Sequence, residues 1–201
     1  MTSTSRIRLA VALYLSVLAY VFVTGCARHS DPAPRGATGT AAAAQDERFS
    51  IYDLGSTWRD QTGAERTLES LRGKPVLLAM VYTHCTAVCP LSVTEMKRVE
   101  AAHSDVRLVV VSLDPEHDSP QRLAEFARER GLSNRWTLLT GNTNDVRDLA
   151  ATLGIRYRRA SADDIAHSNI LTLLDADGRV AQQGTGAISE DAFQTPTLSL
   201  R

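Results

Sequence analysis

Cys85 and Cys89 stand four positions apart in Cys85-Thr86-Ala87-Val88-Cys89-Pro90, just after an apolar run and just before a helical pattern. At that spacing two side chains share one face of a helical turn. The two sulfurs can therefore approach closely enough to bond to each other or to hold one ion. The N-terminal end of a helix favours thiolate, which is both the nucleophile and the metal ligand. Three chemistries fit. A structural disulfide here would close a very small loop and remove little chain entropy. A redox pair would cycle between dithiol and disulfide. A metal site would hold a soft ion. Zinc normally takes four ligands in a closed site, more than two thiolates and one histidine supply. Cu(I) accepts fewer and suits sulfur combined with imidazole.

The elements that must position these sulfurs are legible around them. Val76 to Tyr82 is a continuous apolar run, the pattern of a strand buried on both faces. Leu91 to Ala102 reads as a helix with Met96 and Val99 on one face, and Val106 to Leu113 as a second buried strand. Ser119-Pro120 opens another helix, with Ser as its cap, Pro at the first position and Gly131 just past the end. Trp136 to Leu139 is a short strand, and Thr143 to Leu153 a helix ending at Gly154. Asn169 to Leu174 and Arg179 to Gln182 form a hairpin around Asp175-Ala176-Asp177-Gly178. Upstream, Trp58 to Thr67 is a small hairpin turning at Asp60-Gln61-Thr62-Gly63. Alternating strands and helices imply an α/β domain, a central mixed sheet flanked by helices. A thioredoxin-like fold with an N-terminal hairpin extension satisfies that order.

Composition sets the outer limits. The chain has 201 residues, is 43% hydrophobic and 22% charged, and carries a net charge of −1. That is enough for one domain with a buried core and too apolar for disorder. It lacks the basic excess expected of nucleic-acid binding. Three cysteines are too few for a disulfide-built scaffold. Arg6 and Arg8 precede an apolar run from Leu9 to Val23, the build of a secretory signal. Val23-Thr24-Gly25-Cys26 resembles the bacterial lipobox. The expectation is therefore removal of residues 1–25 and lipidation of Cys26, with an uncleaved membrane anchor as the alternative. Acylation would supply more than one chain, as stable anchoring requires. Residues 26–47, with Pro32, Pro34, Gly36, Gly39 and the run Ala41 to Ala44, read as a flexible tether. Residues 48–194 read as the folded domain and 195–201 as a loose tail. Either anchor holds the domain on the periplasmic side of a bacterial membrane.

Four segments in order carry a resemblance. They are Gly73-Lys74-Pro75; Tyr82-Thr83-His84-Cys85 through Cys89-Pro90; Val111-Ser112-Leu113-Asp114-Pro115-Glu116-His117-Asp118-Ser119-Pro120; and His167 ahead of Asp175-Ala176-Asp177-Gly178. Over about residues 49 to 186 the chain resembles the SCO/SenC family. The resemblance implies a thioredoxin-like fold and copper, Cu(I) and also Cu(II), bound by Cys85, Cys89 and His167. It implies delivery of copper to the dinuclear site of cytochrome c oxidase or to another extracytoplasmic copper protein, or keeping the cysteines of that dinuclear site reduced. Neither nucleic acid nor a small-molecule substrate is expected. Thr86 stands where family members often have Pro, which loosens the loop without removing a ligand. Asp114 is a candidate weak oxygen ligand for Cu(II); otherwise Asp114-Pro115 begins a turn. A carboxylate or a backbone carbonyl on its second nitrogen would fix the tautomer of His167, with Asp163 and Asp164 as candidate carboxylates. His84 adjoins Cys85 and could approach a metal, but its neighbour already takes the inward direction; His117 and Asp118 read as residues of the turn and helix start, and His103 as a surface residue. Arg156-Tyr157-Arg158-Arg159 reads as a solvated patch able to meet an acidic partner.

Two other functions compete. In a thiol–disulfide reductase, Cys85 attacks and Cys89 resolves. Thioredoxin-like exchange enzymes, however, have two residues between the cysteines and a proline opposite them. Here three residues intervene, and no proline lies between Pro120 and Pro196. A peroxidase or redox sensor needs an arginine and a hydroxyl beside the reactive cysteine. Thr83 and Thr86 supply hydroxyls, but no arginine is identifiable at the site from sequence.

Overall fold

The computed structural model describes residues 49–85, 89–161 and 164–194. The expected signal, Cys26, the tether, Thr86, Asp163 and the C-terminal tail lie outside them. After a short 3-10 turn at Ile51–Leu54, β1 (Thr57–Asp60) and β2 (Glu65–Thr67) form the expected hairpin. Asp60 clasps its turn, accepting from the Thr62 amide and hydroxyl, the Ala64 amide and Arg66 Nε. There follow β3 (Val76–Val81), α1 (Cys89–Ala102), β4 (Arg107–Ser112), α2 (Pro120–Glu129), β5 (Trp136–Thr140) and α3 (Thr143–Thr152). The chain continues through β6 (Tyr157–Ser161), β7 (Asp164–His167), β8 (Ile170–Leu174) and β9 (Val180–Thr185).

One seven-stranded sheet runs β2-β1-β5-β4-β3-β8-β9. Its middle, β3-β4-β5, is parallel; β1 and β8 add to either side antiparallel. The N-terminal hairpin is therefore an edge of the main sheet rather than an appendage. All six residues of β3 are buried, as are the last five of β4, which is why both read as unbroken apolar runs. Ser119 caps α2 by accepting from the Arg122 amide, with Pro120 at the first helical position. Among the described residues no helix is long and apolar enough to cross a membrane.

Two features depart from expectation. β6 and β7 form a separate two-stranded sheet, where the sequence suggested polar surface stretches. Only Ile165 is buried in either strand, so neither carries the apolar alternation that marks a strand. The second departure is a 3-10 turn at Glu190–Gln194, near the end of the domain, where no element was expected. Phe193 stacks on His103 with ring centroids 4.1 Å apart. Glu190 pairs with Arg98 and with His103 Nε2. His103 is thus a half-buried anchor for this turn, not a surface residue.

Candidate metal centre

β3 and β4 end together, with the Leu113 amide donating to Val81 O at 2.7 Å. Beyond β3 the chain turns through Tyr82-Thr83-His84-Cys85, closed by the Cys85 amide donating to Tyr82 O at 3.2 Å. Cys85 thus lies at the C-terminal ends of the parallel strands, the usual place for sites in such sheets. Its side chain is buried, at 5% exposure. Cys89 is the first residue of α1, and its side chain lies outside the described residues.

The turn is held by Asp118, which is fully buried. Its carboxylate accepts from the Thr83 amide (3.1 Å), the Thr83 hydroxyl (2.6 Å) and the Ser112 hydroxyl (2.6 Å). Ser112 Oγ in turn accepts from the Asp114 amide at 2.9 Å. Arg122, on α2, donates from Nε to Thr83 Oγ1 at 3.1 Å while pairing with Glu125 and Glu129. The sequence marked Asp118 as a turn residue; it also braces the cysteine loop, as does Arg122, so an arginine does reach that loop. The run from Val111 to Pro120 contained the signal, because it links a buried strand directly to a capped helix.

Asp114 is also fully buried. Arg159 Nη2 lies 2.7 Å from Oδ1, and His117 Nδ1 2.9 Å from Oδ2. His84 Nε2 is 3.6 Å from the same Oδ2. Burial alone would push this carboxyl up; the bonds from Arg159 and His117 outweigh it and hold it below the ordinary carboxylate value. Arg159 is therefore not simply a solvated arginine, since it spans from β6 to the end of β4.

His167 ends β7, three residues ahead of β8, whose antiparallel pairing with β3 sets Leu171 opposite Ala79. Its ring lies edge-on to Tyr82, centroids 5.9 Å apart. His84 approaches the same tyrosine edge-on at 4.7 Å. His167 Nδ1 lies 3.2 Å from the Ser168 carbonyl. With its proton there, the ring carries its lone pair on Nε2. A backbone carbonyl, one of the two kinds of partner expected, thus stands beside Nδ1; Asp163 lies outside the described residues. The Asp164 carboxylate accepts from the Tyr82 hydroxyl instead, at 2.9 Å. That hydroxyl accepts from the Ile165 amide at 3.3 Å and has the Cys85 thiol as a further hydrogen-bonding neighbour. Burial pushes the Tyr82 pKa up, with Asp164 and Cys85 adding to the shift and the Ile165 amide opposing it.

Cys85 and His167 therefore meet around one tyrosine. Among the described residues no three His, Cys, Asp or Glu side chains form a group able to hold a metal ion; the Cys89 side chain is not in that set. On the far side, Ser92 of α1 donates to Asn169 Oδ1 and ties the helix that Cys89 opens to the segment after His167.

Comparison with known proteins gives this arrangement its context. The SCO1/SenC family model matches residues 31–194, extending past both ends of the resemblance read from the four segments. The SCO1 protein homolog of Bacillus subtilis is 31% identical over 138 residues, covering 65% of this chain and 72% of that protein. The fold matches BsSco, a member of the Sco family of cytochrome c oxidase assembly proteins in which a disulfide switch has been identified. The TM-score is 0.59 and the identity 29%, over 69% of this chain and 85% of that one. Copper-bound ScoI of Arabidopsis thaliana shares the fold, with a TM-score of 0.60 at 22% identity, over 68% of this chain and 89% of that one. The domain has a thioredoxin-like fold, and the chain belongs to the SCO1/SenC family.

Proposed function

We propose that the chain is a membrane-tethered copper metallochaperone. It holds copper through Cys85, Cys89 and His167 and passes it to the dinuclear copper site of cytochrome c oxidase. The observation that carries this reading is that Cys85 and His167 both neighbour Tyr82, Cys85 at its hydroxyl and His167 at its ring, beside the helix that Cys89 begins. Two thiolates and an imidazole are a soft donor set suited to Cu(I). The start of α1 favours the thiolate form of the ligands. A partner's cysteine or histidine would displace one ligand at a time, so the ion is handed over without being released. Family membership supports the oxidase as recipient, and the lipobox-like Val23 to Cys26 supports the tether.

The test is an anaerobic Cu(I) titration of the reduced full chain in detergent against a chelator of known affinity. Cys85→Ser and His167→Ala are run alongside. One tight equivalent, weakened by both substitutions, is the expected result. Tight binding unchanged in His167→Ala would remove His167 from the site.

A second reading is thiol–disulfide exchange, favoured by the disulfide switch of BsSco. Here the Cys85 and Cys89 thiols would give two electrons and two protons to a partner disulfide and become a disulfide themselves. Absence of competitive Cu(I) binding by the reduced wild type would make this the working function.

A further inference from the structure

The β6–β7 hairpin lies outside the seven-stranded ladder. Its position over the cysteine loop is therefore set by side chains rather than by strand pairing to the main sheet. Tyr82 is central to that contact. It follows β3 directly, is 3% exposed, and reaches β7 with its hydroxyl. The hydroxyl fixes two consecutive residues of β7, accepting from the Ile165 amide and donating to the Asp164 carboxylate. Side chains alternate along a strand, and β7 follows this: Ile165 is buried, Ala166 exposed and His167 half-buried. Ile165 and His167 thus share the inward face. Fixing the backbone at Ile165 fixes the height and direction of the imidazole two residues on. The Cys85 thiol neighbours the same hydroxyl.

We propose that Tyr82 is a positioning residue that docks the hairpin bearing His167 onto the cysteine loop through its hydroxyl, so that imidazole and sulfur face one ion. The inference rests on the copper reading for its consequence, but the docking itself is a property of the metal-free chain. The aromatic ring contacts His84 and His167 edge-on. The hydroxyl is what ties it to β7, and Tyr82→Phe removes only that.

The experiment combines two measurements on the full chain. In the first, Cu(I) affinity is determined for wild type, Tyr82→Phe, His167→Ala and the double variant. Tyr82→Phe is expected to bind about tenfold more weakly, the scale of losing a residue that orients a ligand. It should cost nothing further once His167 is alanine, because the effect travels through the imidazole. An unchanged affinity in Tyr82→Phe overturns the proposal, as does an equal loss in the His167→Ala background. The second measurement is amide hydrogen exchange in the metal-free protein. Exchange at Ile165 should quicken in Tyr82→Phe while the β3 amides keep their protection. If wild type takes up no Cu(I), the copper reading falls and the exchange result decides the docking role alone. Unchanged exchange at Ile165 then overturns it.

Discussion

At the scale of single residues, the cysteine loop is shaped by one buried carboxylate. Asp118 receives three donors from Thr83 and Ser112, and a primary amide cannot accept all three. Asp118→Asn should lower stability by about 1–3 kcal/mol, the cost of leaving buried polar groups without partners. It should also speed alkylation of Cys85, which is buried in the native loop. Denaturant unfolding and timed reaction with a thiol reagent measure the two effects. An alkylation rate equal to wild type would mean the loop is held elsewhere. The sulfurs themselves were legible in the sequence, because their spacing and their place between a strand and a helix state their chemistry. Asp118, Arg122 and Arg159 were not. Their roles depend on partners on other elements, and nothing local distinguishes a bracing aspartate or arginine from one at an exposed turn.

At the scale of elements, apolar runs told the truth wherever both faces are buried. β3 and β4 emerge within a residue or so of their expected ends. The β6–β7 pair leaves no such run because its strands are mostly exposed; tertiary contacts to Tyr82 and Asp114, rather than pattern, hold it in place. The β1–β2 hairpin shows the opposite case, a turn written locally around Asp60. Burial would raise the pKa of this carboxyl, but bonds from Thr62, Arg66 and Ala64 bring it below its ordinary 3.8. A carboxyl whose pKa is lower folded than unfolded stabilises the fold above the unfolded value. That contribution is lost as pH falls through the folded one. Asp60→Asn should therefore cost about 1–2 kcal/mol near neutrality, and the gap to wild type should narrow below about pH 4. Unfolding curves of the two proteins across acid pH check this. A gap that stays constant into strong acid would show that the charge is not its source.

For the molecule as a whole, the sheet has to be assembled before its parts can work, and its distant edge is closely packed. Trp58 of β1 is fully buried and donates from its indole N–H to Ser56 Oγ at 2.8 Å. A Cβ at Gly141, just after β5, would lie 2.8 Å from Trp58 Cε3. Gly141→Ala should thus destabilise the domain by about 1–3 kcal/mol while leaving Cu(I) affinity in the folded protein unchanged. Thermal unfolding and the chelator competition separate those effects; a lowered affinity would mean that strain at this edge spreads to the cysteine loop. Assembly across the sheet also bears on how the protein is made. The bond from Tyr82 to Asp164 spans 82 positions of sequence. At the usual pace of chain synthesis, those positions take roughly 4–16 seconds to appear. For that interval the nascent chain presents Cys85 and Cys89 before β7, β8 and His167 have been made. The thiols meet whatever oxidants surround the growing polypeptide before the segment that bears His167 exists.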